Sequence, residues 1–121
     1  MHCLCLIEDE AGVSYFDHGS FDLHVADFAP PAPPLLLSAG LAARQLLFLT
    51  LPAGWGGAKH PSPHDQIAFC LAGRLRVEAG DGEVREIEPG GIWWMRDTTG
   101  SGHTTTVLGD APVQLAIVQL E

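Results

Sequence analysis

Two stretches of the chain hold side chains able to do chemistry. Residues 54–73 read GWGGAKHPSPHDQIAFCLAG and residues 98–103 read TTGSGH. Imidazoles bind zinc, copper, nickel and iron, and they also serve as acids, bases or hydrogen-bond partners. In extended chain successive side chains alternate, so His60, Ser62, His64 and Gln66 share one face while Pro61 and Pro63 take the other positions. Each proline also biases its predecessor toward extended geometry. Continuing the alternation puts Ala68 and Cys70 on the Gln66 face and Ile67, Phe69 and Leu71 on the opposite one. With Gln66 facing inward, its small neighbours leave space for a ligand, and the pocket-lining set reads Ser62, Ala68, Cys70 and Trp94. Asp65 has the opposite parity and is expected outside. Arg96 and Asp97 lie close enough to the second stretch to position a substrate. His2, His18 and His24 lie outside both stretches and read as surface or packing residues. No GxSxG elbow, phosphate-binding glycine loop or CxxC motif is present.

The elements that hold these residues are expected to be strands. Fourteen glycines and nine prolines, spread through 121 residues, leave little room for helices. Gln66 to Leu71 reads as a strand. Leu75, Val77 and Ala79 alternate with Arg74, Arg76 and Glu78 before Gly80-Asp81-Gly82 turns the chain toward Val84 and Ile87, which is a hairpin pattern. Ile92 to Met95, Thr104 to Leu108 and Val113 to Leu120 are three further strands. Leu41 to Leu51 suits either a helix or a strand buried on both faces. The Ala29–Pro34 run, APPAPP, prefers extended polyproline geometry and reads as a stiff crossing from an N-terminal hairpin to a barrel. Residues 1–34 and 35–121 then form the N-terminal strands and the barrel of one domain.

Composition narrows the function. Fifteen acidic against six basic residues give a net charge of −9, which repels phosphate backbones and anionic lipid, so neither nucleic acid nor membrane is an expected partner. The oiliest stretch, Leu35 to Leu51, is broken by Ser38, Gly40, Arg44 and Gln45 and does not read as a membrane span, and the acidic start does not read as a signal peptide. Cys3, Cys5 and Cys70 cannot pair evenly and read as reduced thiols in the cytoplasm. A Cys-x-Cys pair can bind a soft metal; it is equally what a buried strand with two small residues on one face looks like.

Gly54, His60, Ser62, Gln66 and Gly73 stand at the intervals of the first cupin motif, which this stretch resembles in its glycines, first histidine and carboxylate position. Gly100 and His103 match the glycine and histidine of the second motif, with Thr98 and Val107 in place of its proline and asparagine. The whole chain looks like a short single-domain cupin-like protein. The resemblance implies an all-β fold: one cupin-type barrel of two antiparallel sheets with an N-terminal strand or hairpin extension. It also implies a divalent transition metal (zinc, iron, nickel, copper or manganese) held by His60, Gln66 and His103. Ser62 stands where the family has its second histidine. His64 is the candidate replacement, although four residues of extended chain separate it from His60 by about 13 Å. The protein would act on or sense a small molecule in the barrel. The alternative is a metal-free module that binds a small ligand without catalysis. The outward set Ile67, Phe69 and Leu71 and the oily strand Cys3 to Ile7, together with the way cupins commonly pair, lead to the expectation of a homodimer.

Overall fold

The computed structural model describes residues 1–121 and contains eleven strands and no helix. The strands are β1 (His2–Glu8), β2 (Ser14–Ser20), β3 (His24–Ala26), β4 (Leu35–Leu37), β5 (Ala43–Leu51), β6 (Gln66–Ala72), β7 (Arg74–Glu78), β8 (Val84–Ile87), β9 (Ile92–Met95), β10 (Thr104–Leu108) and β11 (Val113–Leu120). A six-stranded sheet runs β2-β1-β9-β6-β11-β5, a three-stranded sheet runs β10-β7-β8, and β3 pairs with β4 alone. Every pairing is antiparallel except β1 with β9, which is parallel. The all-β fold of antiparallel sheets is the one expected from the sequence; its one parallel junction forms where β1 slots in beside β9 and carries β2 with it.

Alternation decides what is inside. Leu75 and Val77 of β7 are fully buried while Arg74, Arg76 and Glu78 between them are exposed, as the hairpin pattern required. Gln66, Ala68 and Cys70 of β6 are buried. Ala68 and Cys70 pack with Leu6, Leu75, Val77, Trp93, Met95, Val107, Val113 and Leu115 in one core. The expected ligand space behind Gln66 is therefore taken: the small residues of β6 are matched by the large side chains of Trp93 and Met95 on the neighbouring strand.

Two expectations about the oily middle of the chain are corrected. Leu41 to Leu51 holds a strand, not a helix, but β5 is the edge of its sheet and is largely exposed rather than buried on both faces. Its inward residues Leu49 and Leu51 reach the core, whereas Leu46 and Phe48 are 54% and 72% exposed. The proline run does not cross to the barrel in extended form. Ala32 N–H bonds back to the Ala29 carbonyl at 2.9 Å, and the run closes a hairpin whose arms are β3 and β4. This arm lies against the outer face of the sheet, where Phe21, Leu23, Leu36, Ile67, Phe69 and Val118 help to line an apolar cavity of about 430 Å³.

Candidate site at the barrel mouth

His103 enters the site just before β10, at the end of a loop held by the N-terminal hairpin. Glu8 at the end of β1 accepts from the Thr99 and Gly100 backbone N–H groups at 3.1 and 2.7 Å and from the Thr99 hydroxyl at 2.5 Å. Ser14, fully buried at the start of β2, donates its hydroxyl to the Gly102 carbonyl at 2.7 Å and accepts from Gly80 N–H at 2.7 Å. Gly102 has φ of +84° and packs directly on the His60 backbone, leaving no room for a Cβ. This close approach lets His60 and His103 exchange two backbone hydrogen bonds, each 3.0 Å, so the two motif histidines sit face to face across an isolated β-bridge.

The side chains divide sharply. The His103 ring is 2% exposed, and its Nδ1–H donates to Asp97 Oδ2 at 2.6 Å. Asp97, with no exposed surface, accepts from the Ser62 hydroxyl through its other oxygen at 2.8 Å, and its carbonyl accepts from Ser62 N–H at 3.0 Å. Both carboxylate oxygens are thus engaged, which a buried carboxylate requires. Because Asp97 holds Nδ1, the other ring nitrogen of neutral His103, Nε2, carries a free lone pair. The His60 ring lies 5.1 Å from it, centroid to centroid, and is exposed; its Nδ1 donates to the Ala58 carbonyl at 2.7 Å, which likewise leaves Nε2 free. The Trp93 ring stands edge-on to His103 at 5.4 Å, and its buried Nε1–H has no hydrogen-bond partner.

The structure brings His60, Ser62 and His103 together and sets Gln66 in a different network. Gln45 Nε2 donates to Gln119 Oε1 at 2.5 Å, Gln119 Nε2 to Gln66 Oε1 at 3.0 Å, and Gln66 Nε2 to the Met95 sulfur at 3.5 Å. Gln45, Gln119, Gln66 and Met95 are register partners, so this ladder runs straight across four strands. His64 is half-buried with no side-chain hydrogen bond. Trp94, expected to line the pocket, points the other way. It stacks on Phe21 at 5.7 Å, donates Nε1–H to Asp65 at 2.6 Å and lies under the Arg96 guanidinium. Trp93 takes the interior place instead, since the alternation of β9 sends residues 93 and 95 inward and continues to Asp97. Asp97 was legible only as a residue near the motif; its parity with Trp93 was the signal that could have placed it inside.

The donor set falls short of a built metal centre. No group of three or more His, Cys, Asp or Glu side chains converges anywhere in the chain. Ser62 is occupied with Asp97, Asp97 with His103, and the Gln66 amide oxygen with Gln119. Two imidazole nitrogens remain, one short of the three protein ligands usual for a catalytic zinc.

No protein-family model matches the sequence, and no curated protein matches it. Solved structures do. A Cupin 2 conserved barrel domain protein from Salinispora arenicola is similar over 82% of this chain and 76% of its own, with a TM-score of 0.54 at 18% identity. The Cnp3 cupin domain of Schizosaccharomyces pombe is similar over 99% and 88%, with a TM-score of 0.51 at 13% identity. The chain has the cupin-like fold that its sequence implied, and at these identities the likeness shows the fold alone.

Proposed function

We propose that this protein is a small cupin-like binding module that holds a small molecule at the barrel mouth, without a metal, through the Nε2 atoms of His103 and His60. The observation that carries the reading is the buried Ser62–Asp97–His103 chain, which fixes the His103 ring and leaves its Nε2 without a protein partner. Preorganising one nitrogen this way is costly in desolvation and stabilises little by itself. A ligand offering O–H or N–H groups to the two Nε2 atoms complements them, which describes small hydroxylated compounds of a few carbons.

The test is histidine-edited NMR of the protein titrated first with a panel of small hydroxy and keto acids and sugars, then with zinc, nickel and manganese. Saturable shifts of the His103 and His60 ring signals with an organic compound, absent in His103→Asn, support the proposal. Saturable perturbation of both rings by micromolar metal, without any organic ligand, would overturn it in favour of a metal site.

A homodimer is part of the same reading. Strand β5 ends its sheet with an unpaired edge, and Leu46, Phe48 and Leu71 expose more than half their surface on the outer face. Ile67 and Phe69 are covered by the β3–β4 arm, so the patch lies further toward β5 than the sequence suggested. Pairing with a second copy covers both liabilities. Sedimentation should give a dimer that Phe48→Lys converts to monomer. No helix in the chain is long and apolar enough to cross a membrane, and three free thiols fit the reducing cytoplasm.

A further inference from the structure

Cys3 and Cys5 lie on one side of β1, opposite to Leu4 and Leu6, which face the core. Their sulfurs are 3.8 Å apart. Two metal–sulfur bonds of about 2.3 Å meeting at a tetrahedral angle span about 3.8 Å between sulfurs. The neighbouring strand makes room for this pair. Gly19 is the register partner of Cys3, and a Cβ there would fall 2.6 Å from the Cys3 sulfur and 2.5 Å from the Cys5 sulfur. Both thiols therefore lean over a bare glycine, and any side chain at position 19 would push them apart.

We propose that Cys3 and Cys5 form a two-thiolate site for a thiophilic ion with a filled d shell, such as zinc or cadmium, on the outer face of the six-stranded sheet and independent of the barrel-mouth histidines. A disulfide suits the pair less well: two residues of extended chain separate the Cα atoms by about 6.7 Å, at the far end of the bridging range. Strand β1 is hydrogen-bonded along both edges, to β2 and to β9, and cannot shorten to close that gap. Cys3 is almost fully buried, but Cys5 is half-exposed and gives an incoming ion access. Burial, and then the neighbouring Cys3, push the Cys5 thiol up to about 11, so the ion must displace its proton. Asp17, directly across from Cys5, adds negative charge beside the bound cation, and Arg96 opposes it in part. No third protein ligand closes the site, so the remaining positions go to water or a small soluble thiol. On binding, two S–H bonds break, two sulfur–metal bonds form and two protons pass to solvent, with no change of oxidation state.

Cadmium titration, followed by the ultraviolet thiolate-to-cadmium charge-transfer band and by proton release, tests this. The wild-type protein is expected to take one ion per chain and release two protons. Cys3→Ser and Cys5→Ser should each weaken binding at least tenfold, and Gly19→Ala, which keeps both thiols, should weaken it severalfold by spreading the sulfurs. Cys70→Ser and His103→Ala should bind as the wild type does. Absence of the band in the wild type, its survival in the Cys3→Ser/Cys5→Ser double variant, or its loss in Cys70→Ser would overturn the proposal.

Discussion

Two chains of hydrogen-bonded polar side chains run through this barrel, one reaching the exposed Gln45 and the other wholly buried, and they end differently. The glutamine ladder passes from Gln45 through Gln119 and Gln66 to the Met95 sulfur, neutral throughout, and each amide is answered by the next. The Ser62–Asp97–His103 chain carries a carboxylate at its centre and stops at an imidazole nitrogen that nothing in the protein answers. Each includes at least one motif position, yet a satisfied ladder of side chains ties strands together, whereas a chain with a free terminus presents one atom to an incoming molecule. On the reading proposed above, the difference separates a structural network from a binding one, and of the expected His60, Gln66 and His103 it sets Gln66 with the structural one.

The sharpest way to break the comparison is to remove the charge at the centre of one chain. Asp97→Ala leaves the His103 Nδ1–H and the Ser62 hydroxyl buried without their acceptor, and breaking such a buried pair costs about 3–5 kcal/mol. Urea unfolding should show that loss; a change under 1 kcal/mol would mean the network is not built as described. Gly102→Ala comes next. Its left-handed φ of +84° and its packing on the His60 backbone predict a loss of about 2–3 kcal/mol together with displacement of the His60 ring, seen as changed histidine NMR signals.

The ladder should be gentler and functionally silent. Gln119→Leu removes the donor to Gln66 and the acceptor of Gln45, for an expected cost of about 1–2 kcal/mol in the same unfolding experiment, with the His103 signals unmoved. A shifted His103 signal would show the two chains to be coupled. Smallest of all, Glu8→Gln keeps one acceptor oxygen but sets an amide nitrogen, which cannot accept, before one of the Thr99 and Gly100 N–H groups, and about 0.5–1 kcal/mol should be lost from this loop anchor.

Much of this was legible in the sequence, and the boundary follows physical lines. Period-2 alternation placed the hairpin Arg74–Ile87 and sorted Gln66, Ala68 and Cys70 from Ile67, Phe69 and Leu71, because a pleated strand obeys it wherever one face is buried. Motif spacing brought His60 and His103 to one place. Alternation failed between His60 and Asp65, where the chain is loop and not strand, so Ser62 turned inward to Asp97 while His64 went its own way. Nothing local could show that Gln66 would be answered by Gln119 and Gln45, since those partners come from strands 53 and 21 positions away and only register unites them. The exposure of β5 was hidden for the same reason: apolar runs read alike at a sheet's centre and at its edge.

The central claim is that Asp97 holds His103 with its Nε2 free, and long-range nitrogen–proton NMR of the imidazole reads this directly. In the neutral wild-type ring the account predicts a proton on Nδ1, a bare Nε2, and exchange of the Nδ1 proton slowed by burial, with the preference for that tautomer lost in Asp97→Ala. A wild-type His103 carrying its proton on Nε2, or a tautomer indifferent to loss of the Asp97 carboxylate, would contradict it.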